Sequence, residues 1–188
     1  MAIATDKNLT MKKLFILAGL LLMATVQTHG QRTIEKGGYL KDPNLDKFVG
    51  TWQGASSSDT LKVVFEKYKV YYEKPDAYMD LIIGWYKFIK DGRVVDDYLN
   101  RVGSSYKKRI FSGRTDDNKS TVLHLTVIDY KRDKSVNATF QLIQGQTDQA
   151  ILKLQFSEGV YFYFDDEKPK NEVQTIPVPS TWKMRKIN

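Results

Sequence analysis

Asn44-Leu45-Asp46-Lys47-Phe48-Val49-Gly50-Thr51-Trp52 is the stretch on which the reading of this chain turns. Just before it, Asp42-Pro43 sets up a turn of helix, because Asp caps well and Pro is pre-organised for a first helical position. Leu45 and Phe48 are three apart and face the same way. Gly50 permits close backbone approach, and Trp52, two residues on, returns to the same side of an extended chain. A short turn running straight into a strand that opens Gly-Thr-Trp predicts an indole plugging the closed end of a small β-barrel.

The rest of the chain reads as strands separated by turns. Thr60–Tyr72 is rich in β-branched and aromatic residues. Its apolar phase changes from Leu61, Val63 and Phe65 to Tyr68, Val70 and Tyr72, which predicts a bulge or turn near Glu66-Lys67. Leu81–Lys90 is apolar on both faces, as for a strand covered on both sides, and Asp91-Gly92 predicts a hairpin into Arg93–Leu99. Tyr106–Phe111 is short and basic. Ser120–Tyr130 and Ser135–Gln144 pair across Lys131–Lys134. Val136, Ala138, Phe140 and Leu142 alternate with polar residues, as do Ala150, Leu152, Leu154 and Phe156. Val160–Phe164 is a further strand. Lys168–Ser180 holds three prolines and reads as an extended connection, and Thr181–Ile187 as a last strand. The expectation is an all-β antiparallel up-and-down barrel of eight to ten strands.

The N-terminus stands apart from that barrel. Lys12 and Lys13 precede an apolar run from Leu14 to Val26, then Gln27-Thr28-His29-Gly30. This is a signal-peptide layout, a helix shorter than the roughly 20 apolar residues of a membrane span. Cleavage is expected before Gln31, making residues 1–30 an N-terminal extension and signal peptide and residues 31–188 a single domain. An uncleaved anchor or a buried helix is the alternative reading. Translation starts at either Met1 or Met11. Cleavage removes Asp6, Lys7, Lys12 and Lys13, lowering the net charge from +7 to +5. With no Cys, disulfides and lipid attachment at an N-terminal Cys are excluded, and no later apolar run is long enough for a transmembrane helix. The expected product is exported, soluble, and periplasmic or extracellular.

The segment Asp46-Lys47-Phe48-Val49-Gly50-Thr51-Trp52 resembles the opening of the calycins, the lipocalins and fatty-acid-binding proteins. There a short helical turn leads into Gly-x-Trp on the first strand, so the resemblance implies a lipocalin-like barrel. It also implies a basic residue near the last strand packed on the indole. Arg185 is the candidate, giving Gly50, Trp52 and Arg185 structural closure roles. Arg185 has awkward parity, opposite to Trp182 and Met184, so Lys183 or Trp182 itself is a rival. The chain as a whole is similar to a family of small exported proteins of Bacteroidota-type bacteria, which implies a location and no activity.

Chemistry is sparse. After cleavage the only His is His124, so clustered His metal sites and Cys–His pairs are absent, and no cofactor is expected. His124 alternates with Val122, Thr126 and Ile128, and reads either as a polar handle inside a cavity or as a satisfied structural histidine. Asp96-Asp97, Asp116-Asp117 and Asp165-Asp166-Glu167 are neighbours whose side chains point to opposite faces, so they read as solvated turns. Lys107-Lys108-Arg109, Lys131-Arg132 and Lys183–Lys186 read as charge on an outer face. Export argues against nucleic acid as the partner.

A lumen ligand would meet Phe65, Trp85, His124, Phe140, Leu142, Leu152, Leu154, Phe162 and Phe164. The primary expectation is therefore an exported, non-enzymatic barrel that binds a small apolar or amphipathic molecule. The alternative is a filled barrel or sandwich whose exterior, around Lys153, Tyr161 and Tyr163, recognises a protein or an envelope polymer. An enzyme built from carboxylates of distant strands is a third option. Small barrels are often filled solid by their own side chains.

Overall fold

The computed structural model describes residues 35–116, 119–131, 134–155 and 178–187, all within the unit Ile34–Asn188. The expected signal segment and the expected strand Val160–Phe164 lie outside the described residues.

The described residues form ten strands: β1 (Tyr39–Leu40), β2 (Gly50–Ala55), β3 (Thr60–Tyr72), β4 (Ala77–Lys90), β5 (Arg93–Asp97), β6 (Phe111–Asp116), β7 (Lys119–Asp129), β8 (Lys134–Leu142), β9 (Gln149–Gln155) and β10 (Thr181–Ile187). Eight of them, in the order β4-β3-β2-β10-β9-β8-β7-β6, form an antiparallel sheet. Ile82↔Gly113, Ile83↔Ser112 and Gly84↔Phe111 join its two ends into a closed up-and-down barrel. Strand β5 folds back on the end of β4, and β1 adds two residues in parallel to its start. The helical elements among the described residues are short 3-10 turns.

The opening behaves as its residues dictate. Asp42 caps the 3-10 turn Pro43–Lys47 by accepting from the Asn44 N–H at 2.9 Å. Leu45 and Phe48 are fully buried, and so is Trp52, whose Nε1 donates to the Phe48 carbonyl at 2.8 Å. Phe140 is the hub of the packing above them. Its ring meets Trp52 edge-on at 4.9 Å, Phe65 at 5.2 Å and Phe48 at 6.3 Å. Each such pair is worth roughly 0.5–1.5 kcal/mol beyond the area it buries. Phe65 lies over Gly84, where an added Cβ would stand 2.6 Å from the Phe65 ring.

The β4–β5 hairpin turns at Asp91-Gly92, both with positive φ (48° and 73°), as an Asp-Gly two-residue turn requires. The expected bulge at Glu66-Lys67 is absent, since β3 pairs β4 without interruption from Thr60 to Tyr72. The apolar phase switches because β3 passes from one covered face to another. Up to Phe65 its apolar side chains face the barrel interior. Beyond it, the outer face is overlaid by the β5–β6 connection, with Tyr106 packed on Tyr68 at 5.8 Å. Tyr106–Lys108, the start of the short basic stretch, is a 3-10 turn in that connection.

Candidate functional site

Cross-strand register separates the inner and outer faces of the barrel. Phe65, Phe140, Leu142, Leu152 and Leu154 are buried and face inward, as expected of lumen residues. Trp85 and His124 do not. Trp85 shares a face with Val64 on the outer side of β4. It is buried there beneath the β5–β6 connection, its Nε1 donating to the Lys108 carbonyl at 3.2 Å. His124 is exposed on the outer face of β7, because Leu123, Leu125 and Val127 take the interior. Phe162 and Phe164 lie outside the described residues.

Among the described residues the interior is filled. The cavity between Leu61, Tyr86, Phe111, Val127, Leu152, Leu154 and Val178 measures about 10 Å³, space for about one water.

At the capped end, Lys186 takes the place expected of Arg185. The odd residues of β10 face solvent, and Arg185 stands 3.9 Å from Asp148 there. Trp182, Met184 and Lys186 face the other way. The Lys186 ammonium lies 5.3 Å over the Trp52 ring and donates to the Lys47 carbonyl at 3.2 Å. Burial lowers its pKa. The rivals are placed elsewhere: Lys183 is exposed, and Trp182 packs on Phe88 at 6.0 Å. Parity with Trp182 and Met184 was the sequence signal for Lys186.

The opposite end holds a buried polar cluster that sequence reasoning missed. Asp96 is buried on the inward face of β5 rather than in the expected solvated turn, and Asp129 is buried on the inward face of β7. Asp96 accepts from the Tyr86 hydroxyl at 3.2 Å and from Lys131 at 2.5 Å. Tyr86 packs edge-on against Tyr98 at 5.3 Å, and the Tyr98 hydroxyl is buried without a hydrogen-bond partner. Burial first, then the charge of Asp96, raises the pKa of both tyrosines. Asp97 obeys strand alternation by pointing out, to Lys87 at 2.9 Å, and that bond lowers its pKa. The cluster seals the barrel end: Lys131 bridges the turn after β7 to β5, and Tyr86 ties β4 to the same carboxylate.

The larger concavity lies outside. A groove of about 470 Å³ crosses the outer faces of β6 to β9. Register stacks its side chains in two cross-strand rows. One runs Arg114, His124, Thr139, and register carries it on to Lys153 at the groove's margin; the other runs Ser112, Thr126, Asn137, Gln155. The first supplies positive charge and the second uncharged hydrogen-bonding groups, with no carboxylate in either. Such a surface suits a ligand rich in hydroxyl groups and carrying negative charge. Among the described residues no cluster of three or more His, Cys, Asp or Glu side chains could hold a metal ion, and no helix is long and apolar enough to cross a membrane.

The chain belongs to the Family of unknown function (DUF6705), whose model matches residues 11–186. No curated protein and no solved structure matches it.

Proposed function

We propose that this is an exported recognition module without catalysis: a filled, calycin-like barrel whose outer face, β6 to β9, binds an anionic, hydroxyl-rich polymer of the cell envelope. The observation that carries this reading is the contrast between an interior cavity of about 10 Å³ and an external groove of about 470 Å³ lined by two polar rows together with Gly113, Leu125 and Ala138. The signal-peptide layout of residues 1–30 supports export. The turn into Gly50-Thr51-Trp52 and the ammonium over its indole support the calycin comparison. The net charge of +5 left after cleavage favours an anionic partner. The lumen reading, a small apolar ligand among Phe65, Phe140 and Leu152, has no comparable space in its favour.

Retardation of the chain in gels containing a soluble acidic polysaccharide, such as polygalacturonate, tests the proposal. Exposed charge contacts are worth up to about 1 kcal/mol each, so Arg114→Ser with Lys153→Ser is expected to weaken retention about tenfold. Added salt weakens it further. Unchanged retention in the double variant, or none in the parent chain, contradicts the proposal.

A further inference from the structure

A second surface, at the end of the barrel capped by the 3-10 turn, carries a more specific chemistry. Strand β3 pairs with β2 only as far as Phe65 and β4 pairs with β6 only at Ile82–Gly84, so Tyr68–Tyr72 and Ala77–Leu81 continue past the barrel as an extension, with β1 beside β4. Register places Tyr39, Tyr78 and Tyr71 in one cross-strand row. Their side chains are 45%, 38% and 47% exposed, among the most exposed large hydrophobic residues of the fold. The Tyr71 and Tyr78 rings lie 5.2 Å apart. The Lys69 ammonium stands 4.3 Å from the Tyr39 ring centre and 4.4 Å from that of Tyr78.

These rings are held rather than loose. Tyr39 donates to Asp80 at 2.5 Å and Tyr71 to Asp76 at 2.7 Å, so their orientations are set before any ligand arrives. Rigid aromatic faces bind at low entropic cost. The row holds no aliphatic side chain. Lys69, opposite Asp80 in the next register pair, sets its ammonium against the Tyr39 and Tyr78 rings, while the Asp80 and Asp76 carboxylates accept from the Tyr39 and Tyr71 hydroxyls. Aromatic faces match the C–H face of a pyranose ring, and an ammonium beside them matches a negative substituent on that ring.

We propose that the Tyr39–Tyr78–Tyr71 row with Lys69 binds an acidic sugar unit, its ring on Tyr71 and Tyr78 and its anionic group on Lys69. The inference takes its ligand class from the polymer reading above but uses a different surface from the groove, and the two are separable by experiment.

The test is gel retardation of the full mature chain in polygalacturonate and in neutral dextran, comparing Tyr78→Ala, Tyr78→Phe, Lys69→Gln and the Arg114→Ser/Lys153→Ser pair. Thermal melts identify any variant that loses its fold, and Lys69→Gln alters only an exposed side chain. Loss of one stacking or cationic contact is expected to weaken polygalacturonate retention about three- to tenfold in Tyr78→Ala and in Lys69→Gln. Tyr78→Phe keeps the ring and retains binding, and dextran retards the parent chain less. Retention unchanged in both Tyr78→Ala and Lys69→Gln but lost in the groove pair overturns this inference and leaves the groove standing. The reverse pattern upholds it and moves the binding surface away from the groove. No retention of the parent chain, or binding only to phosphatidylglycerol vesicles, overturns it.

Discussion

Lys186 and Trp52 face each other across the β10–β2 pair, the ammonium 5.3 Å above the indole and hydrogen-bonded to the Lys47 carbonyl. One side chain thereby joins the last strand, the first barrel strand and the capping turn. Lys186→Ala removes a cation–π contact and a hydrogen bond, a loss of about 1–2 kcal/mol. Arg185→Ala removes only a long, exposed ion pair, worth about 0.5 kcal/mol or less. Urea unfolding of the two variants side by side checks the assignment, and equal losses contradict it.

Gly50 sits under the same lysine. Its φ is +124°, and an added Cβ would stand 2.9 Å from the Lys186 Cε. Gly50→Ala therefore combines backbone strain of about 1–3 kcal/mol with displacement of the lysine. In the Gly50→Ala/Lys186→Ala double variant the clash is gone and the strain remains. The double loss should thus be smaller than the sum of the single losses, a coupling that a double-mutant cycle measures.

The barrel was legible in the sequence because its strands alternate and its turns carry Asp-Gly and other turn residues. The turn into Gly50-Thr51-Trp52, the Asp91-Gly92 hairpin and the strand Thr181–Ile187 stand where they were expected. Faces were harder to assign wherever both were apolar. Trp85 lies on a strand covered inside by the barrel core and outside by the β5–β6 connection, and alternation alone does not tell these apart. His124 was grouped with Val122 and Ile128, although the intervening Leu123, Leu125 and Val127 are the stronger apolar set. Asp96 looked like half of a solvated pair. Its burial depends on Tyr86, ten residues away, and on Lys131, thirty-five away. The groove rows depend on the register of four strands, which no local pattern encodes.

Neighbouring aspartates should differ sharply when removed. Asp96→Ala strips the buried partner from Tyr86 and Lys131 and should cost about 3 kcal/mol. Asp97→Ala removes a half-exposed pair with Lys87 and should cost less than about 1 kcal/mol. Because the Asp97 pKa is lowered, its small contribution is present at neutral pH and is lost as the pH falls through the folded-state value. Denaturant midpoints at pH 7 test the ranking.

Tyr86 and Tyr98 make the fold alkali-sensitive. Both have folded-state pKa values above the ordinary 10.0. The stability they contribute is therefore complete below pH 10 and falls as the pH rises beyond it, because the unfolded chain gives up those protons first. Tyrosinate absorbance should show a late group of tyrosines ionising together with loss of the fold, and in Tyr86→Phe that late step should shrink. Ionisation of all tyrosines in one step while the barrel stays folded contradicts this.

The most direct measurement is an NMR titration of the isotope-labelled chain, first with a fatty acid and then with polygalacturonate fragments. A filled barrel that binds outside predicts that the interior methyl groups of Leu61, Leu123 and Leu152 stay unmoved by the fatty acid. The acidic fragments should instead shift the amides of Arg114, His124, Asn137 and Lys153. Saturable shifts of the interior methyls with the fatty acid, and none on the outer face with the polysaccharide, would contradict the account.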